Sequence, residues 1–247
     1  MKKAIHSKLG LLGLSIMVFG LMAFSATGAP AEVGAKWLLG EKPSGSGSIP
    51  FLDSTVGLQA ETTGVLHTEI AKVKVLFECT TTAAENLTLI GNGSIAEKAI
   101  IKFTGCITKL NGVTSAPCQP KGLGVAGLIE TEPLHGLLIL FKLTSGVIDH
   151  LLKILPDEGK VLALIEMGDE CAIGTKVNIL GKATIKDCEN LSLTRQVKHL
   201  VEVGTKAELT EVWAISETVE HEATILGSAW AFLTGKHEEL KFSGEPA

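Results

Sequence analysis

The sequence predicts an all-β protein, an antiparallel β-sandwich or a small closed barrel, that follows an N-terminal signal peptide. Three observations predict it: an apolar segment near the N-terminus, short stretches of alternating apolar and polar residues, and turn residues between those stretches. Alternation with period two is typical of strands that place one face on a core. Many short strands separated by turns are typical of sandwiches and barrels.

The first 31 residues have the three parts of a signal peptide. Three lysines make the N-terminus basic, residues 9–24 are an apolar run, and Ala29-Pro30-Ala31 fits the cleavage rule for small residues. A transmembrane helix needs ~20 apolar residues, so the shorter run favours a signal over a retained anchor. We therefore expect a secreted, periplasmic or extracellular protein with no stable membrane span once the signal is removed.

The rest of the chain divides once. Residues 32–50 are predicted to be a short leader that ends in a linker, EKPSGSGSIP at 41–50. No second linker follows, so residues 51–247 are predicted to form a single β-rich domain. Because 45% of the residues are hydrophobic and 20% are charged, the chain can bury a sizeable core and is not a disordered tail.

Alternation is clearest in LSLTRQVKHLVEV (191–203), TVEHEATI (218–225) and TEIAKVKVLFEC (68–79), and each of the three is predicted to be a strand. KILPDEGKVLAL (153–164) is predicted to be a hairpin that turns at Pro-Asp-Glu-Gly. The overlapping GVIDHLLKIL (146–155) also fits a short amphipathic helix, and the turn that follows it favours a strand.

Three further segments contain the glycine and asparagine residues that reverse a chain. They are predicted to be turns and are IGNG at 90–93, LNG at 110–112 and LGK at 180–182.

Charge and aromatic content argue against several partners. The formal net charge is −5, and removal of the first 31 residues, with three lysines and no acidic residue, brings it to −8. The chain has one arginine, Arg195, so it lacks the basic patch that nucleic-acid binding needs. It has no tyrosine and few other aromatic residues, which weakens sugar and peptide recognition.

The five cysteines are predicted to form two disulfides and leave one thiol over, because an exported chain meets an oxidising compartment. No Cys-x-x-Cys motif occurs and the histidines lack the spacing of zinc ligands, so we expect no redox or metal cofactor. Cys106–Cys118 is the best single pair because the loop between them contains Asn111-Gly112, which can bring its ends together.

The second disulfide has two alternatives. Cys171–Cys188 would face each other across a hairpin that turns at Leu180-Gly181. Cys79–Cys171 would instead join two strands that each carry an acidic residue just before the cysteine. Residue spacing does not separate the two.

Catalytic chemistry has little support in the sequence. No Gly-x-Ser-x-Gly elbow and no phosphate-binding loop occurs, so no catalytic or cofactor-binding residue is predicted. Arg195, His199 and His221 lie on otherwise apolar strand faces and would form a polar cluster, for a ligand or a metal, if their strands were neighbours. The alternative is that they are strand-end positions open to water, or satisfied buried histidines.

Three stretches resemble a group of uncharacterised secreted bacterial β-rich proteins of unknown function. They are KFTGC…NG…C, IKDCENLSLT and the C-terminal EHEATILGSAWAFLTGKHEELKFSGEPA. The resemblance covers residues 64–247 and implies no activity. In that group the Gly-Cys…Cys loop recurs and the cysteine equivalent to Cys188 varies. The resemblance therefore implies Cys106–Cys118 and Cys79–Cys171 bridges, with Cys188 as the spare thiol.

These observations lead to three functional hypotheses. The first is a non-enzymatic structural or interaction module of the bacterial cell envelope or exterior, with a protein or envelope partner. The second is a binding protein that holds a small apolar ligand between its sheets, in a cavity lined by Leu, Ile and Val with Arg195 or His199 at its mouth. The third is a metal-dependent enzyme that uses His221 and His237.

Overall fold

The computed structural model describes residues 33–39, 49–50, 53–142, 148–186, 197–202, 211–216, 219–238, 240 and 242–246. These residues form antiparallel β-strands and two short 3-10 turns (Ala116–Cys118 and Gly235–His237), with no α-helix among them, which confirms the predicted all-β class. The strands, numbered in chain order, are β1 (Val33–Leu39), β2 (Ile49–Pro50), β3 (Ser54–Ala60), β4 (Gly64–Ile70), β5 (Val73–Cys79), β6 (Thr81–Glu85), β7 (Thr88–Ile90), β8 (Ser94–Thr104), β9 (Ile107–Leu110), β10 (Val113–Thr114), β11 (Lys121–Gly122), β12 (Val125–Ala126), β13 (Ile129–Glu130), β14 (Leu134–Lys142), β15 (Ile148–Pro156), β16 (Val161–Glu166), β17 (Lys176–Lys186), β18 (Val197–Glu202), β19 (Glu211–Ser216), β20 (Val219–Leu233) and β21 (Phe242–Pro246).

Eight of these strands pair in a closed ring. Its order is β3, β7, β8, β14, β15, β17, β18 and β20, and β20 pairs again with β3. A second sheet runs through β16, β17, β19, β20, β4, β5, β9 and β10. Of the two predicted architectures, the closed ring corresponds to the small barrel.

Three long strands, β8, β17 and β20, take part in more than one sheet because each changes partners along its length. Residues 94–99 of β8 pair with β7 and β14, whereas residues 100–104 pair with β6 and β13. In β17 the change falls near Gly181 and in β20 near Gly227. The ring and the second sheet therefore share β17 and β20, and β8 joins the ring to the short strands β6 and β13.

The partner changes need unusual backbone at two positions. Gly181 has a φ of +112°, in the left-handed region where a side chain would be strained. Lys98 in β8 has a φ of +69°, and its N–H donates to Oδ2 of Asp157 at 2.7 Å. The other oxygen of Asp157 lies 3.0 Å from Nδ1 of His135, so this carboxylate bridges β8 and β14 at the bend.

The core follows the alternation of the strands. In β5, Val75, Phe77 and Cys79 are buried, and the residues between them are half-buried. The same pattern holds in β4, where Leu66 and Ile70 face the core. Strands that place one face on an apolar interior are stabilised chiefly by this burial.

Part of the predicted leader belongs to this core. Strand β1 pairs with β14 and β21, and its Ala35, Trp37 and Leu39 are almost completely buried. The Trp37 ring packs edge-on against Phe242 of β21, with 6.0 Å between ring centroids. The signal segment, residues 1–31, and most of the predicted linker lie outside the described residues.

Several local predictions are confirmed. Residues 148–156 form β15, so the stretch that also fitted a helix is a strand. Asn111-Gly112 is the two-residue turn between β9 and β10, and IGNG turns between β7 and β8. Strand β18 lies within the predicted strand 191–203, of which residues 191–196 and 203 are outside the described residues.

The hairpin predicted at 153–164 is wrong. Strands β15 and β16 do not pair with each other, because both run antiparallel to β17 along the same edge. Residues 157–160 form the loop that connects them, and the Gly181 N–H of β17 donates to the Lys160 carbonyl in this loop. The turn predicted at 180–182 is also wrong, since β17 continues through it and Gly181 serves the bend instead.

The single strand predicted at 68–79 is divided by a turn that has no glycine. Ala71 and Lys72, both with positive φ, reverse the chain between β4 and β5, as in a type I′ turn. Alternation continues through this two-residue turn, so the pattern alone does not reveal it.

Two disulfides form, but neither predicted pairing is correct. Cys79 bonds to Cys106, and Cys118 bonds to Cys171, with Cα–Cα distances of 4.0 and 4.6 Å. All four cysteines are those predicted to be bridged, and Cys188 lies outside the described residues. The predicted Cys106–Cys118 and Cys79–Cys171 bridges, and the alternative Cys171–Cys188 bridge, are thus replaced.

The register of β5 and β9 explains the first disulfide. Glu78 pairs with Ile107 in this ladder, and Thr81 pairs with Thr104 where β6 continues along β8. The same register places Cys79 directly opposite Cys106, and directly opposite residues are the cross-strand pairs whose Cβ atoms lie closest. Cys106 therefore faces β5, although the Asn-Gly turn does fold the loop after it.

The second disulfide joins a loop to a turn. The 3-10 turn at Ala116–Cys118 ends the loop after β10, and Thr108 Oγ1 donates to the Cys118 carbonyl at 2.6 Å. The Gly168 N–H donates to the carbonyl of Pro117 at 3.1 Å, which brings the turn containing Cys171 against this loop. The hairpin turn at Leu180-Gly181 on which the alternative Cys171–Cys188 bridge depended does not form, since β17 continues through it.

A non-reducing tryptic map tests the pairing, because Lys98, Lys102, Lys109 and Lys121 separate the cysteines into different peptides. We expect linked peptides for Cys79–Cys106 and Cys118–Cys171. Replacing either pair by alanine should lower the free energy of unfolding by about 3 to 4 kcal/mol, given loops of 27 and 53 residues. A peptide linking Cys106 to Cys118 would contradict this register.

Candidate functional site

The sheets line an apolar cavity of about 190 Å³. Its wall takes side chains from β3–β6, β8, β13–β17 and β20, so both parts of the fold contribute. Leucine, isoleucine, phenylalanine and alanine make up most of the wall, and no charged side chain lines it. A water molecule needs two to four polar partners, and this wall offers few, so the cavity suits an apolar occupant better than water.

The cavity lies where the three long strands change partners. Ile101 and Phe103 of β8 line it, and each follows the break at Lys98. In β17 the wall residues Ile179 and Ala183 lie on either side of Gly181. The cavity therefore occupies the interior at the level where the two sheets diverge.

Small side chains leave this space open. Gly64, Gly227, Ala163, Ala183 and Ala229 all line the cavity. Gly227 needs its small size, because a Cβ there would lie 3.2 Å from the Gly64 Cα. Gly64 does not: a Cβ there would meet its nearest atoms at 3.9 Å, an ordinary contact distance, and those atoms belong to two wall residues.

The wall reaches the surface near the connection between β3 and β4. Thr62 lines the cavity and is exposed, and so is Leu226, of which 45% is exposed. Here the β3–β4 connection crosses β20 between the segments that pair with β3 and with β4. The Ser228 carbonyl accepts the N–H of Glu61 at 2.9 Å, and Ser228 Oγ donates to the Glu61 carboxylate at 2.9 Å.

Most polar groups of this wall form hydrogen bonds within the protein. Thr62 Oγ1 accepts the Ser228 N–H at 3.0 Å and lies 3.1 Å from Ser228 Oγ. Thr131 Oγ1 accepts the Ile101 N–H at 2.9 Å. Thr82 is the remaining hydroxyl on the wall, and it belongs to β6.

An ion-pair cluster lies on the outer side of the same wall. Lys102, between the wall residues Ile101 and Phe103 of β8, contacts Glu85 of β6 at 2.7 Å and Glu130 of β13 at 3.3 Å. The hydrogen bond from the ammonium to Glu85 raises the pKa of Lys102 above its usual value, and Glu130 adds to this effect. The Glu85 side chain is 53% exposed, and pairs open to solvent on one side contribute little stability, but the cluster joins three strands behind the cavity.

The first disulfide also belongs to the wall. Cys79 lines the cavity, and its bond to Cys106 closes the point where the β5–β9 ladder passes into the β6–β8 ladder. The Cys79–Cys106 disulfide therefore contributes to the site by holding two parts of its wall together. The signal in the sequence for this pair is the order of FEC and KFTGC, which places one cysteine at the end of β5 and the other between β8 and β9.

The predicted polar cluster is not assembled in the described residues. His199 of β18 pairs with Ala229 of β20, whereas His221 is in the other half of β20 itself, roughly 25 Å from Ala229 along an extended strand. Arg195 lies outside the described residues. Strand β18 does bring the His199 position next to Ala229, a wall residue.

His237 has a structural partner. It is buried and shares a hydrogen bond between its Nδ1 and the buried hydroxyl of Ser54, which ties the 3-10 turn at Gly235–His237 to β3. Over the part of the chain that the structure describes, no three His, Cys, Asp or Glu side chains gather into a group able to hold a metal ion.

The described residues include no helix with the length and hydropathy needed to cross a membrane. Two disulfides in an all-β fold are compatible with an extracellular or periplasmic location, because disulfides persist in oxidising compartments. The fold and site together define a disulfide-stapled all-β protein with an apolar interior cavity. Comparison with protein-family models, curated proteins and solved structures finds no match to this chain.

Filling the cavity should stabilise the protein. In the variant Gly64→Leu, four new carbons would enter a space that meets no atom closer than 3.9 Å at Cβ. We expect the free energy of unfolding in urea to rise by about 1 to 2 kcal/mol, from apolar burial and reduced freedom of the unfolded chain. Ala83→Leu, on the exposed side of β6, is the matched control and should change it by less than ~0.5 kcal/mol. Destabilisation by Gly64→Leu would show that no usable space exists there.

Proposed function

We propose that this chain is an exported, non-enzymatic protein that binds a small apolar molecule in its interior cavity. The observation that carries the proposal is the cavity itself, about 190 Å³ in volume with a wall of hydrocarbon side chains. It supports the ligand-binding hypothesis more directly than the structural module, which needs no interior space. Export rests on the signal-peptide pattern of residues 1–31, and the disulfides are consistent with it.

The volume limits the size of the ligand. An engineered apolar cavity of about 150 Å³ in another protein holds benzene. A cavity of about 190 Å³ has room for one or two more heavy atoms. The ligand class is therefore a small, uncharged molecule of about six to eight carbon atoms, scaled from that example. A charged group is disfavoured, because the wall has no opposite charge to offset its desolvation.

Access is provided where the wall reaches the surface. Leu226 and Thr62 border the cavity and contact solvent, and they lie where the β3–β4 connection crosses β20. We expect the ligand to enter at this border. The hydrogen bonds of Ser228 to Glu61 and Thr62 hold the β3–β4 connection against β20 there.

Toluene is a suitable probe because it fits the volume and has no polar group. We expect saturable one-to-one binding in an NMR titration of the oxidised, full-length mature protein, with the largest shifts at wall residues. Gly64→Leu should weaken toluene affinity at least tenfold, because the new side chain occupies the site, and Ala83→Leu should leave it unchanged.

Two results would overturn the proposal. One is an absence of saturable toluene binding to protein that shows both disulfides and a cooperative unfolding transition. The other is toluene binding that survives Gly64→Leu unchanged, which would place the ligand elsewhere. Urea unfolding of each variant checks that a loss of binding does not come from a loss of fold.

A further inference from the structure

The chain has two Asn-Gly pairs, Asn92-Gly93 and Asn111-Gly112, and both lie in turns. An asparagine before glycine is prone to spontaneous deamidation, because glycine has no side chain to hinder attack of its backbone nitrogen on the asparagine amide. Both asparagines are exposed. The surroundings of the two glycine nitrogens differ, so the structure favours the reaction at one pair and opposes it at the other.

The group that would be attacked is held in the same way at both sites. The Lys74 N–H donates to Oδ1 of Asn111 at 3.0 Å, and the Ser94 N–H donates to Oδ1 of Asn92 at 3.1 Å. Negative charge develops on this oxygen during the attack, and a backbone donor at such a distance stabilises that charge. The two sites therefore differ in the attacking nitrogen and not in the side-chain amide.

The Gly93 nitrogen is protected. Its N–H donates to the Ile90 carbonyl at 2.9 Å, so loss of the proton would break a hydrogen bond. Gly93 is buried under β1, where a Cβ would lie 1.9 Å from the carbonyl oxygen of Ala35. The contact with β1 excludes base and water from this nitrogen and leaves no room for a new ring.

The Gly112 nitrogen is open to solvent. Gly112 is exposed, a Cβ built there would meet nothing within 4 Å, and its N–H has no acceptor among the described residues. Asn111 and Gly112 form the whole two-residue turn between β9 and β10. Base therefore reaches this nitrogen without any opening of a β-ladder.

We propose that Asn111 is a site of spontaneous deamidation in the folded protein and that the structure protects Asn92. The Gly112 nitrogen gives its proton to base and bonds to Cγ of Asn111. The Cγ–Nδ2 bond breaks, ammonia leaves, and a succinimide ring remains. Water then opens the ring at either carbonyl to give aspartate or isoaspartate, and no oxidant or reductant takes part.

The product changes the end of the β9–β10 hairpin. Asn111 is joined to Lys74 of β5 by two hydrogen bonds, since its N–H also donates to the Lys74 carbonyl at 2.8 Å. Aspartate keeps an oxygen for the Lys74 N–H and adds one negative charge. Isoaspartate lengthens the backbone within the turn and displaces both bonds. This modification is independent of the proposed binding function.

Peptide mapping tests the proposal, because trypsin places Asn111 in residues 110–121 and Asn92 in residues 75–98. The folded, oxidised protein is incubated at several pH values between neutral and mildly alkaline, then reduced and digested. We expect the mass gain of deamidation in residues 110–121 at a rate that rises with pH. Asn92 should react at least about tenfold more slowly, a factor that one hydrogen bond at Gly93 can supply.

Two controls connect the difference to the structure. In the reduced chain in urea, the two asparagines should react at similar rates, because neither glycine nitrogen is then protected. The variant Asn111→Gly, which suits the positive φ of this turn, should abolish the mass gain in residues 110–121.

Three results would overturn the proposal. One is equal reaction of Asn92 and Asn111 in the folded protein. Another is an intact Asn111 in the folded protein when both asparagines react in the unfolded chain, which would show that the turn protects it. The third is a rate at Asn111 that does not rise with pH, since attack needs the deprotonated nitrogen.

Discussion

Three strands, β8, β17 and β20, determine the rest of this structure because each must pair with different neighbours at its two ends. A strand can change partners only where its backbone bends or its ladder is interrupted. Gly181 supplies the bend in β17, and the backbone of Lys98, bound by Asp157, supplies it in β8. In β20 the change falls at Gly227, whose backbone lies against Gly64. The ring of eight strands and the second sheet diverge at the points in β17 and β20, and the ring and the strands β6 and β13 diverge at the point in β8. The cavity is lined by strands from all of these parts.

The disulfides belong to the same arrangement. The β5–β9 and β6–β8 ladders have the same register and are separated by a short interruption. The Cys79–Cys106 disulfide links the two chains at this interruption. Cys118–Cys171 holds the loop after β10 against the turn after β16. Both bonds connect segments distant in the chain, so each limits the unfolded ensemble at a place where ladder hydrogen bonds are missing.

Sequence reasoning succeeded where the structure is decided locally. Alternation predicted β18 and the first part of β20, because a strand with one buried face must alternate whatever its partners are. Asn111-Gly112 predicted its turn, because that pair suits the positive φ that both residues adopt. The same reasoning failed at Gly181, since a glycine with positive φ serves a bend within a strand as well as a turn between strands.

The cysteine pairing failed for the complementary reason. Cys106 and Cys118 lie on either side of a correctly predicted turn, yet the partner of Cys106 is decided by the register of β9 against β5, which no local signal reports. The cavity is equally hard to predict from the sequence, because alternation indicates which side chains point inward but not whether they fill the interior. Interiors of eight-stranded barrels are just wide enough to be filled by side chains, so the outcome depends on their sizes.

Those sizes are visible at a few inward positions once the strands are placed. Ala163, Ala183 and Ala229 face the interior where valine or leucine would be as compatible with a strand, and Gly64 has room for a side chain that it lacks. An unfilled interior costs stability, because the side chains around it lose packing contacts that a filled core would supply. Small residues at several neighbouring inward positions, on strands from both sheets, leave this space open, and the proposed ligand would restore the contacts that they forgo.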